Sequence, residues 1–105
     1  MLYVHHPASL EHDPRAYLPE HPDVPERVDA IERAMERVGW LGCEVREAPA
    51  ASVRELELVH SASHVRGVFG LCAAGGGQLD AETFVDEASC RAASYAAGGA
   101  CEMVR

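Results

Sequence analysis

Three features of this 105-residue chain predict an α/β fold. The opening run MLYVHH, ended by Pro7, and the alternating stretch CEVREAP have the length and pattern of β-strands. Between them, DVPERVDAIERAMERVG sets Val28, Ile31, Met35 and Val38 at spacings of three and four, which makes one apolar stripe on a helix. Two further helical faces follow, so the coarse order is strand, helix, strand, helix, helix.

The first strand ends in His5, His6 and Pro7. Residues 7 to 24 carry four prolines among His and Asp residues and are expected to be irregular, and a long ordered loop in a small domain is often functional. The helix that follows has Asp23 as cap, Glu26 completing an Asp-x-x-Glu capping box, Pro25 in its first turn and Gly39 as its stop. CEVREAP, ahead of Pro49, is expected near a sheet edge. Ser52-x-x-Glu55 is a second capping box, with Val53, Leu56 and Val59 continuing a helical face to about His60. Ser61 or Ser63 starts the next helix, which carries Val65, Val68, Phe69 and Cys72 on one side and stops at Gly75 to Gly77. From about Asp86, DEASCRAASYAAGGACEMVR reads as a last helix with acidic residues in its first turn and Arg105 at its end. Gly98 and Gly99 each cost that helix about 1 kcal/mol relative to Ala, and its small residues permit close approach to a large neighbour.

Composition narrows the function. The chain is 48% hydrophobic and 25% charged, an ordinary globular mix for a single domain with a modest core. Seventeen acidic against nine basic residues give a net charge of -8, which repels nucleic-acid phosphates. An acidic surface suits basic partners or solubility. No apolar run reaches membrane-spanning length, and Met1 to Val4 is too short for a secretory h-region, so the cytoplasm is expected. Cys43, Cys72, Cys90 and Cys101 form no C-x-x-C pair and read as reduced thiols.

Several groups could carry chemistry. Gly75 to Gly77 precede Gln78, Leu79 and Asp80 rather than the Gly-Lys-Ser/Thr of a phosphate loop, so a helix stop is the simpler reading. His60 and His64 are four apart, as zinc ligands can be, but Ser61 stands where H-E-x-x-H needs its Glu. The alternatives are two partly exposed rings or one packed on the sheet. His5, His6, His12 and His21 form a looser N-terminal group whose geometry the sequence does not specify. Asp80, Glu82, Asp86 and Glu87 could act in acid and base work or be solvated.

Taken together, HHPASLEHD, HPDVPERVDAIERAMERVGW, VHSASHV, GGGQLDAETFVDEAS and AASYAAGGA resemble, in order, the beginning of the histone deacetylase family, which includes acetylpolyamine amidohydrolases and acetoin-utilisation proteins. The resemblance spans nearly the whole chain. It implies residues 1–105 as the N-terminal portion of a single deacetylase-like domain, with the three-layer arginase/deacetylase fold of a mainly parallel sheet flanked by helices. It also implies a zinc-dependent amidohydrolase acting on acetyl-lysine or acetylpolyamine-type amides. In such relatives a carboxylate of an Asp-x-Asp-Thr segment accepts amide hydrogens of the substrate backbone. Asp80 matches the first acidic position, Glu82 replaces the second with a longer side chain, and Thr83 follows. DEAS stands where the family usually has Ser-Pro-Gly-Ser. By the same resemblance His21 and Pro22 lie on the loop at the channel mouth. Glu26 and Arg27 anchor that loop and its helix, either as plain cap and ion pair or beside substrate.

The family's tandem His pair, oxyanion Tyr and Asp/His/Asp zinc ligands all belong to segments beyond the Ala-Gly-Gly-Ala helix. His5-His6 is not that pair, since only His6-Pro7 matches the early His-Pro element. The expectation is therefore a truncated chain with no catalytic residues of its own, no bound zinc, no activity alone, and self-association through an exposed core. The alternative is a non-catalytic acidic α/β module that binds a partner. In the complete protein the partner is an acetylated amine substrate, with no nucleic acid and no membrane.

Overall fold

A computed structural model describes residues 1–105. Strand β1 (Leu2–His5) pairs in parallel with β2 (Glu44–Glu47), Tyr3 opposite Val45 and His5 opposite Glu47. The connection between them runs through two 3-10 turns, Pro7–Leu10 and Pro14–Ala16, and helix α1 (Pro25–Arg37). After β2 come α2 (Val53–Leu56), α3 (Ala62–Ala73), a hairpin of β3 (Gly76–Gln78) and β4 (Phe84–Asp86), and α4 (Ser89–Met103).

Alternation along β1 separates two faces. Val4 turns toward α4, where it meets Gly99, while Tyr3 and His5 turn toward α1 and Trp40. Trp40 sits in a tight turn, Gly39–Gly42, all four of whose residues have positive φ. That geometry tips the indole onto Tyr3 with ring centroids 4.9 Å apart. A small apolar core gathers Cys72 of α3, Val85 of β4 and Cys90 of α4, with Val68 and Leu71 packed against it. Helix α4 is thereby held on two sides, by β1 and by α3 with the hairpin.

The expected Asp23–Glu26 capping box does not form. Helix α1 begins after Val24, whose side chain makes no cap, because Asp23 is drawn to His12 (3.3 Å) and Arg27 (3.9 Å). Glu26 instead accepts from Arg15 at 2.9 Å and ties the Pro-rich segment to the helix. The second box is present: Ser52 Oγ accepts from the Glu55 amide at 3.1 Å, and Glu55 accepts from the Ser52 amide at 2.9 Å. Its helix nonetheless stops at Leu56 rather than reaching His60, leaving Val59 81% exposed with no core to face. Ser61, not Ser63, caps α3 through the His64 amide.

The glycines do more than end α3. Gly76 has φ +107, and a Cβ there would stand 2.4 Å from the Val85 carbonyl, so only glycine lets this strand lie against β4. That pairing takes Phe84 to Asp86 out of the last helix. Helix α4 accordingly starts at Ser89, with no acidic residue in its first turn.

The molecule is a thin slab, 40 × 34 × 18 Å. It exposes 6870 Å² where a compact monomer of its mass exposes about 5,700 Å². No large side chain is fully buried. A two-stranded parallel sheet open at its edges is an arrangement that natural domains normally cover.

Candidate functional site at the meeting of two loops

The loop before α1 and the loop of the β3–β4 hairpin, far apart in sequence, meet through His21. Its Nε2–H donates to the Glu82 carbonyl at 2.7 Å, and its Nδ1 accepts the Asp23 amide at 3.1 Å. Those two partners select one neutral tautomer: an amide donor at Nδ1 requires a lone pair there, which leaves the proton on Nε2. The ring also stands edge-on to Phe84, centroids 6.1 Å apart, and Phe84 stacks on Tyr17 at 5.4 Å.

Beside His21 lies a cleft of about 190 Å³ lined by His12, Pro14, His21, Asp23, Glu82, Thr83 and Phe84. His12 spans its floor, with Nδ1 2.7 Å from Ser89 Oγ and Nε2 3.3 Å from the Asp23 carboxylate. Ser89 is buried at the start of α4 and its hydroxyl donates to Asp86 Oδ1 at 3.1 Å, so its remaining lone pairs face the Asp86 amide and His12. A wider groove of about 340 Å³ adjoins, running past Val28 and Val85 to Ala92, Ala93 and Ala96 of α4.

Asp80 turns back into its own loop rather than into the cleft. Its carboxylate accepts the Glu82 amide at 3.0 Å, and this bond, with a second from the Thr83 hydroxyl, holds its pKa below the usual carboxylate range. The hairpin turn is closed by the Leu79 amide donating to the Thr83 carbonyl at 2.8 Å. Glu82 therefore lines the cleft while Asp80 braces the turn that presents it. Pro22 is exposed beside His21, its carbonyl accepting the Val24 amide at 3.0 Å.

On the outer side, Arg15 clamps the Asp13 carboxylate and lowers its pKa to about 2. The same guanidinium reaches Glu26 at 2.9 Å, so the 3-10 turn at Pro14 is tethered to α1. His12, Ser89 and Phe84 lie in stretches the sequence singled out, and Tyr17 in none, but no spacing predicts that they meet, because only the hairpin brings Phe84 and Ser89 to the Pro-rich loop.

The histidines do not assemble into the three-donor set that a catalytic zinc needs. His5 Nδ1 lies 3.2 Å from Glu32, His6 stacks on Tyr95 at 3.5 Å, His12 and His21 are held as above, and the His60 ring lies beside that of His64. No group of three or more His, Cys, Asp or Glu side chains is placed to hold a metal ion. The residues present do not fit the catalytic ion.

Comparison with known proteins bears on the family and the fold. The histone deacetylase domain matches residues 21–105. Among solved structures, the crystal structure of the HDA15 HD domain superposes with a TM-score of 0.81 at 26% sequence identity, covering 94% of this chain and 30% of that one. No curated protein matches. The chain thus spans about a third of the length of that solved relative, and its α/β architecture is part of the arginase/deacetylase fold. On the domain match over residues 21–105, the chain belongs to the histone deacetylase family.

Proposed function

We propose that residues 1–105 form part of the substrate-channel rim of a deacetylase-like amidohydrolase. Its complete domain hydrolyses acetyl-lysine or acetylpolyamine-type amides with zinc as cofactor. The observation that carries this reading is the His21–Glu82 hydrogen bond. It joins the two segments assigned to the rim, 61 residues apart, beside one cleft. The rim's role is binding and orientation. The Glu82 carboxylate accepts hydrogen bonds from backbone amides flanking the acylated side chain, and Asp80 acts through the turn that its own hydrogen bonds hold in place. His21 and Pro22 hold the opposite lip. Four free thiols suit a reducing compartment such as the cytoplasm.

The test uses an acetyl-lysine peptide and the native polypeptide that carries these residues. Asp80→Ala and Glu82→Ala should raise KM about tenfold while sparing kcat, because the contact binds substrate without touching the reacting carbonyl. Unchanged kcat/KM in both variants removes the rim assignment, and a native polypeptide with no amide hydrolysis removes the enzyme reading. Residues 1–105 alone are proposed to be inactive, so chelator-sensitive turnover by the isolated chain would contradict that part.

A second reading, a non-catalytic acidic module that binds a partner, draws support from one observation. The slab leaves about 1,100 Å² more surface exposed than a compact monomer of its mass. That is more than the area one partner contributes to a standard interface, about 800 Å². Co-purification of a stoichiometric second chain without hydrolase activity would favour it.

A further inference from the structure

We propose that His60 and His64 form a two-imidazole site for a borderline divalent transition metal of the Zn²⁺ class, with water completing the coordination shell. The site is remote in role from the cleft and independent of the deacetylase reading. The other four imidazoles are committed to protein partners: His5 to Glu32, His6 to Tyr95 and Glu47, His12 to Ser89 and Asp23, His21 to Glu82. The rings of His60 and His64 face one another instead, and the only hydrogen bond His64 gives to a side chain is from its backbone amide, to Ser61 Oγ at 3.1 Å.

The geometry already has the spread that chelation needs. An ion about 2.1 Å from one nitrogen of each ring, at a near-tetrahedral angle, places two ring centres about 5 Å apart. The observed centroid distance is 4.9 Å, with the planes inclined by 36°. The backbone that carries the pair is fixed on both sides. The His60 amide donates to the Leu56 carbonyl at 3.1 Å, and Ser61 caps α3 one residue later. Binding an ion therefore costs little further ordering of the main chain.

The surroundings favour this chemistry over a plain pair of surface rings. Both residues are exposed at the mouth of a hollow of about 110 Å³ whose wall is apolar, including Val65, Val68 and Phe69. Water reaches the outer coordination positions while the inner side is shielded. Neutral imidazole prefers Zn²⁺, Ni²⁺ and Cu²⁺ over Mg²⁺ or Ca²⁺, which want oxygen donors. The chain's net charge of -8 adds a field that attracts a dication. With only two protein ligands the ion is exchangeable.

The experiment titrates the 105-residue chain with ZnCl₂ by calorimetry and follows all six imidazoles by ¹H–¹⁵N correlation spectra. One equivalent should bind, perturbing His60 and His64 and leaving the other four in place, with MgCl₂ giving no response. His60→Gln and His64→Gln, both at exposed positions and checked by circular dichroism, should each weaken Zn²⁺ binding by on the order of tenfold or more, because the second imidazole acts at high effective concentration. Absence of binding, perturbation of all six rings alike, or unchanged affinity in both variants overturns the site.

Discussion

A single carbon at Gly98 would stand 1.8 Å from the Pro49 carbonyl oxygen and 2.7 Å from the Ala51 amide. Those are backbone atoms, and the Ala51 amide is itself bound to the Ser94 carbonyl at 2.8 Å, so they cannot yield cheaply. Ala gains about 1 kcal/mol over Gly in a helix interior, whereas overpacking costs about 1–3 kcal/mol. With the clash at the severe end of that range, Gly98→Ala should lose about 2 kcal/mol net in urea unfolding. Gly99→Ala meets only the Ala48 Cβ at 3.2 Å and Val4 Cγ1 at 3.3 Å, and should fall within about 1 kcal/mol of the parent. A similar opposition governs the ionisable residues. Asp13 is pulled down to about 2 by its hydrogen bonds to Arg15, so the native contact is complete above the ordinary carboxylate pKa and is lost as pH falls through about 2. Arg15→Gln should return the Asp13 midpoint to the ordinary range in a carboxyl ¹³C titration. Cys90 is displaced the other way, up to about 12, by burial and then by Cys72. In the native chain its thiol should resist alkylation at pH 8 after the half-buried Cys43 has reacted.

At the scale of elements, local chemistry and tertiary pairing compete, and each wins in places. The Ser52–Glu55 box forms as its spacing predicts because both partners are local. Ser52→Ala should destabilise by about 0.5–2 kcal/mol, read from the chemical-denaturation midpoint. The Asp23–Glu26 box does not form, although its spacing is the same, because His12 and Arg15 compete for those carboxylates. The same rivalry explains the late start of α4. Residues Phe84 to Asp86 pair with Gly76 to Gln78, and Ser89 then bonds to Asp86 rather than lying inside a helix that begins there. Strands β1 and β2 and the α1 stripe were legible because their signals are periodic or local, whereas the choice of Ser61 over Ser63 as the α3 cap was not. The hairpin was not, since a three-residue strand containing two glycines carries no alternation to read.

For the whole molecule, the slab shape sets the behaviour. Val28 and Met35 of the α1 stripe are half-buried while Ile31 and Val38 remain more than half exposed, so the helix is only partly covered. With a core of this size, unfolding of the isolated chain should be broad and of low stability, and light scattering coupled to size exclusion should report species larger than 11.3 kDa. A sharp, reversible transition of a strict monomer would refute both expectations. The sequence by itself determined the α/β class, the existence of the helix that follows the Pro-rich loop, the first two strands and the family, because periodicity and motif order are written in neighbouring residues. Only the tertiary structure decided that His21 closes on Glu82 beside His12 and Ser89, and that Asp80 serves its own turn. Those relations depend on which distant backbone groups compete for each side chain, and that competition exists only once α4 and the hairpin have packed.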